Sequence, residues 1–263
     1  MGGPMRCGTG AVPAGGSSRG RIVDPAAVGF ALKQLLARCE VTETRALVAA
    51  GDAVATFRVF ELPGNTVDSD VAATVAKELP LDPDRIAVRW FDVQGATDQR
   101  VIYAAAWDRA LVKNVVDATR AAGLEPVVVD LKSAALARAV GEPSCVVVDL
   151  SSDPVDMVLV DGHMPRVWHA FEPKTPIGPD VASSLAAPLR SMLRFYRRRG
   201  SGSFGGRYPI LIGGEHMLPH ETLAKVAELV GQPVVPMPAP ARVDPSVRHG
   251  TFLACLGLMM RRT

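Results

Sequence analysis

The chain has 263 residues, 48% of them apolar, enough to bury a sizeable core in one large domain or two small ones. Its 29 basic and 27 acidic side chains leave a net charge of +2, which gives no reason to expect a nucleic-acid surface or a general attraction to anionic lipid. The four cysteines stand far apart without metal spacing and read as reduced thiols. No apolar run approaches the ~20 residues of a spanning helix, so a soluble, cytoplasmic protein is expected.

Residues 1–20, "MGGPMRCGTGAVPAGGSSRG", are rich in Gly, Ser and Pro, show no period, and read as a flexible or irregular lead-in. Asp24 and Pro25 then form a cap and first-turn pair for a helix through "AAVGFALKQLLARC". "TRALVAAG" reads as a short buried strand and "AVATFRVFELP" as an alternating one. "SDVAATVAKELP" is a helix ended by Pro80, "RIAVRWFDV" and "RVIYAAAW" are strands, and "DRALVKNVVDATRAAGL" is an amphipathic helix closed by Gly123. Beyond this β-α-β-β-α unit come a strand at "EPVVVD", a helix at "LKSAALARAVG" and a three-stranded meander from Cys145 to Ala170 with turns at "SSDP" and "DGHMP". A long helix is expected from about Asp180 to Arg199, followed by the strand "YPILIGGEH", the helix "PHETLAKVAELVG" ending at Gly231, the strand "QPVVPM" and an apolar helix in "SVRHGTFLACLGLMMRR". Strands and helices interleave, so the class is α/β with a small α+β unit inside it.

Three features carry chemistry, each with a plainer rival. Asp149 ends a buried strand before "LSSDP"; it fits a residue that positions a metal-bound water beside phosphate, and equally a turn carboxylate that caps backbone N–H groups. In "LIGGEH" a strand delivers Gly213 and Gly214 to a loop, which suits close approach of a flat ligand or any tight strand-to-helix turn. Arg194, Arg197, Arg198 and Arg199 fit either a phosphate or acidic partner, or a solvated helix end that complements the dipole. The five histidines form no metal pattern, and there is no G-x-S-x-G elbow.

Taken in order, "GRIVDPAAVGFALKQLLA", "TRALVAAG", the β-α-β-β-α unit, "AAGLEPVVVDLKSAALARA", "CVVVDLSSDPVDMVLVDGHMPRVWHAF", "LAAPLRSMLRFYRR", "ILIGGEHMLPHETLAKVAELVGQPV" and "ACLGLMMR" resemble the type IV pilus assembly protein PilM family, an FtsA-like branch of the actin-like ATPases. The resemblance spans roughly 20–262. It implies an actin-like (ribonuclease H-like) two-lobed α/β fold with an inserted α+β subdomain. An irregular segment at 1–20 would lead into the first part of lobe 1 at 21–51 and the insert at 52–123. A second mixed sheet region would follow at 124–179, and the rest of lobe 2 at 180–263. It also implies a cytoplasmic scaffold at the inner membrane, peripheral to it through a PilN-like bitopic protein. That partner's N-terminal tail would lie extended in an apolar groove beside the insert. Phe57, Phe60, Trp90 and Tyr103, with Phe91 and Trp107, are candidates to line that groove; core packing is the other reading of each.

In such a protein ATP and Mg would be held by Asp149, Ser151, Ser152, Gly213, Gly214 and Glu215. Two departures weaken that site. The first lobe looks N-terminally truncated, because the strand-turn-strand "DIGTSSVK" pattern of the family has no counterpart before "GRIVDP". In the second hairpin Ser151 stands where glycine is expected, and Pro154 or Val155 where a hydroxyl residue is. A serine Cβ crowds phosphate and proline removes an N–H donor. The expectation is a scaffold with weak or absent ATP binding, and an exposed sheet edge in lobe 1 for a partner, self-association or the N-terminal tail to cover. The alternatives are a functional actin-like ATPase, or an FtsA-like division protein whose C-terminal helix would lie on the membrane.

Overall fold

The computed structural model describes residues 6–79, 82, 84–93, 98–151, 154–198, 208–215, 217–239 and 249–261. Of the residues singled out above, Pro80, Ser152, Arg199 and His216 lie outside these.

The N-terminal stretch is not wholly irregular. Strands β1 (Ser17–Ser18) and β2 (Arg21–Ile22) form a hairpin. Both of its turn residues, Arg19 (φ 50°) and Gly20 (φ 74°), are left-handed, as a type I′ turn requires. Helix α1 (Pro25–Arg38) begins as the sequence indicates: the Asp24 carboxylate accepts from Ala27 N–H at 3.0 Å and proline occupies the first turn. The helix crosses α3 (Arg109–Ala121) at Gly29, where a Cβ would stand 2.6 Å from the Ala118 carbonyl oxygen, so glycine sets the approach.

Strand β3 (Arg45–Ala50) runs parallel to β7 (Glu125–Leu131), and these two strands make a sheet by themselves among the described residues. The expectation of a buried strand fails here. Only Ala50 of β3 is buried and Leu47 is 43% exposed, because one side of the strand has no neighbouring strand.

A separate three-stranded antiparallel sheet has the order β4-β6-β5, from β4 (Ala55–Pro63), β5 (Ile86–Val93) and β6 (Gln99–Asp108). Helix α2 (Asp68–Glu78) covers one face, packing Val71 and Val75 against Ile102, Ala104 and Ala106 of the central strand. Alternation along β6 therefore sends Val101, Tyr103, Ala105 and Trp107 to the opposite face. Helix α3 packs chiefly against α1 rather than on this sheet.

Helix α4 (Lys132–Val140) ends at the left-handed Gly141. The meander forms as expected: β8 (Ser144–Asp149), β9 (Val155–Asp161) and β10 (Met164–Phe171), with β11 (Ile210–Gly213) and β12 (Val234–Pro236) completing a mixed sheet in the order β10-β9-β8-β11-β12. Both faces are covered. Val146, Val148, Met157 and Leu159 meet Leu185 and Leu189 of α5 (Ala182–Arg198), while Cys145, Val147, Val158 and Val160 meet Leu136 of α4 and Leu253 of α7 (Leu253–Met259). Two-sided burial explains the near-continuous apolar runs of β8 and β9. Helix α6 (His220–Val230) packs beside α5.

Candidate functional site

The strand order brings Asp149, the end of β8, directly opposite Asp156, the second residue of β9. Like charges facing across a ladder are unfavourable, and both carboxylates are buried. Lys132, the first residue of α4, resolves the conflict: its ammonium lies 2.7 Å from Asp149 Oδ2 and 2.8 Å from Asp156 Oδ2. Burial works against the Lys132 charge, but the two carboxylates outweigh it and hold its pKa above the ordinary lysine value. Asp156 Oδ1 also accepts from Trp168 Nε1–H at 2.9 Å, and Asp149 Oδ1 accepts from the Ser151 N–H at 2.9 Å and from the Ser151 hydroxyl.

Asp149 is thus a turn cap on one oxygen and a lysine partner on the other. A metal-bound water there would have to displace an internal ammonium. The glycines are likewise occupied by protein. The Gly213 carbonyl accepts from Leu150 N–H at 2.7 Å, a Cβ on Gly213 would meet Met237 Cβ at 2.8 Å, and one on Gly214 (φ 150°) would meet Leu150 and Ser151 at 2.8 Å. Glu215 is exposed. Gly213 and Gly214 are therefore packed against Leu150, Ser151 and Met237 where ATP and Mg would require an open cradle.

Asp52, which nothing in the sequence pointed to, lies in a 3₁₀ turn (Asp52–Val54) and accepts from Ser133 N–H at 2.8 Å and from the Ser133 hydroxyl, capping the first turn of α4. Burial pushes its carboxyl up to about 6, against the pull of the Ser133 hydrogen bonds. A folded-state value above the unfolded one means that this group stabilises below the unfolded pKa and that the contribution is lost as pH rises through about 6. Asp52→Asn keeps an acceptor for the Ser133 N–H and removes the titration. Urea midpoints should show the variant gaining about 3 kcal/mol on the parent between acid and neutral pH. A pH-independent difference would show that the group titrates normally.

The open site lies elsewhere. A cavity of about 610 Å³ runs between the face of the small sheet opposite α2 and the β7–α4 segment. Phe91, Tyr103 and Trp107 wall it on one side, Val129, Leu131 and Ala134 on the other, and Met164 and Pro165 of β10 close an end. Tyr103 stacks on Phe57 at 5.7 Å and meets Phe91 at 5.2 Å between ring centres. Its hydroxyl is buried and has no hydrogen-bond partner among the described residues, an arrangement that costs about 1–3 kcal/mol until something supplies one. Burial, with the Asp52 and Asp130 charges behind it, pushes the Tyr103 pKa far up, so the group is a neutral donor. At the rim Asp130 pairs with Arg138 at 2.6 Å and Arg261 at 3.9 Å, with Arg89 also lining the cavity.

Of the four aromatics named from the sequence, Tyr103 lines this cavity and Phe57 buttresses it. Phe60 does not line it: the side chain packs on the α2 side of the sheet, and with Phe57 it borders a separate cleft along the outer edge of β4. Trp90 shares the α2 side by register, opposite Ala104, and is 37% exposed. Phe91 and Trp107, named alongside them, do line the cavity. Lys132, Asp156 and Arg138 were missed.

These sheets and helices make an actin-like α/β protein. Among solved structures, the chain is similar to that of a PilM-PilN type IV pilus biogenesis complex, at 20% identity and TM-score 0.69 over 94% of this chain and 88% of that one. It is also similar to the cytoplasmic domain of EpsL, an inner membrane component of the type II secretion system of Vibrio cholerae, at 12% identity and TM-score 0.52 over 89% and 82% of the two chains. No protein-family model matches the sequence, and no curated protein does. At these identities the likeness establishes the fold.

Proposed function

We propose that this chain is a PilM-like scaffold of type IV pilus or related secretion machinery. The cavity beside Tyr103 would receive the extended N-terminal tail of a PilN-like bitopic inner-membrane protein, and ATP binding would be weak or absent. The observation that carries the reading is the open aromatic cavity with an unpartnered Tyr103 hydroxyl, in a molecule whose Asp149 and paired glycines are filled by its own side chains. An extended tail carries unpaired backbone carbonyls, and one of these satisfies a buried phenol donor while apolar side chains fill the space between Phe91 and Leu131. The protein would sit in the cytoplasm and reach the inner membrane through that partner. Among the described residues no helix is long and apolar enough to cross a membrane.

Helix α7 buries Leu253, Leu256 and Leu258 against the molecule, so its apolar side is already committed and does not favour the FtsA-like reading. The test is a binding titration with the cytosolic tail peptide of the bitopic protein encoded beside this chain. Tyr103→Phe, which removes only the hydroxyl, should weaken binding about tenfold, and Phe91→Ala by a similar factor. Failure of the unmodified protein to retain the tail would overturn the assignment. Saturable micromolar binding of MgATP, lost in Gly213→Val, would restore the ATPase reading.

A further inference from the structure

We propose that the C-terminal half of α5, with the end of α6, forms a binding site for a phosphate-bearing ligand. Arg190, Arg194, Arg197 and Arg198 line one concavity of about 380 Å³, together with Leu193 and Val230. Among the described residues no carboxylate lines it. Arg190 Nη1–H donates to the Leu229 carbonyl at 2.9 Å, which holds its guanidinium in place. For Arg194, Arg197 and Arg198 no carboxylate partner exists among the described residues.

The bland explanation is that arginines collect at helix C-termini to complement the dipole. Two helix ends meet here, those of α5 and α6, and each contributes roughly −0.5 of a charge. They offset about one of the four positive charges, leaving a surplus of roughly +3. The dipole's influence also fades within the last turn, which includes Arg197 and Arg198 but not Arg190 or Arg194. Arg190, Arg194 and Arg197 are spaced i, i+4 and i+7, so they share one helix face and repel one another. A chain with a net charge of only +2 has therefore gathered more positive charge in this one hollow than it carries overall.

The residue type narrows the ligand. A guanidinium presents a planar fork of N–H donors, and several forks from α5 lining one hollow match the oxygens of a phosphate. The hollow, about 380 Å³ and lined by six of the described residues, fits a single headgroup-sized anion rather than a run of acidic peptide. The apolar patch of Leu193 and Val230 would meet the carbon atoms next to such a phosphate. The source is either free phosphate or the headgroup of an anionic phospholipid, and the experiment separates them.

The full-length protein is titrated with inorganic phosphate against chloride at constant ionic strength, followed by thermal shift. It is also sedimented with vesicles of phosphatidylglycerol in phosphatidylcholine and with vesicles of phosphatidylcholine alone. A saturable phosphate shift without vesicle binding identifies free phosphate. Retention on phosphatidylglycerol vesicles, released by added phosphate, identifies the lipid headgroup. Either effect should weaken about tenfold in Arg194→Gln/Arg197→Gln, and the corresponding double lysine variant should fall between, keeping charge and losing the forks. An unchanged urea midpoint confirms that both variants fold. No response to either probe, or a glutamine variant that binds like the parent, overturns the proposal. So does binding to a phosphate-free polyglutamate peptide alone. This site is separate from the Tyr103 cavity, so tail binding survives its loss.

Discussion

Lys132→Met is expected to destabilise the protein by about 3–5 kcal/mol at neutral pH, the range for removing one partner of a buried ion pair. The substitution keeps most of the side-chain volume and removes the ammonium that Asp149 and Asp156, both buried and facing each other across the β8–β9 ladder, share. A further result follows from the same geometry. Adding Asp149→Asn and Asp156→Asn should recover much of the loss, since two amides facing each other hydrogen-bond where two carboxylates repel. Urea denaturation of the parent, single and triple variants checks both, and a Lys132→Met effect below about 1 kcal/mol would show that the cluster is solvated. The result also bears on function: an ammonium that stabilises the fold this strongly is not displaced readily by a magnesium ion.

Gly257→Ala is expected to cost about 3 kcal/mol, at the upper end of overpacking by one methyl group. A Cβ at position 257 would stand 1.8 Å from the Ala135 carbonyl oxygen of α4, and backbone cannot yield as a flexible side chain would. Helix α7 would have to lift from α4, carrying Leu253 and Leu256 out of the core. Gly178→Ala is the control, because among the described residues nothing lies within 4 Å of its added methyl, and its backbone is extended. Equal midpoints for the two variants would contradict the packing described here.

Much of this architecture is legible in the sequence because its elements obey local rules. The meander of β8, β9 and β10 is written as apolar runs broken by turn residues, and α4 and α6 close on Gly141 and Gly231, both left-handed in the structure. The exposure of β3 is not legible from its own residues. "RALVAA" has the composition of a buried strand, and whether it is buried depends on neighbours that the segment does not encode. The aromatics show a related limit. Alternation separates Phe57 from Phe60 with certainty, since residues three apart on a strand face opposite ways. Which face meets α2 depends on how the helix docks, so Phe60 and Trp90 could not be told from Tyr103 and Phe91 beforehand. Lys132 was missed for a different reason. It is 24 residues from Asp156, and nothing about a lysine at a helix start announces that the helix points it between two strands.

Amide hydrogen exchange of the full-length protein, with and without the partner's tail peptide, tests the central claim most directly. Protection is expected in β5 and β6 around Phe91 and Tyr103 and in the first turns of α4, with no change at Ile210–Glu215. Protection confined to Asp149–Ser151 and Gly213–Glu215, or none at all under conditions where the peptide is bound, would contradict the account.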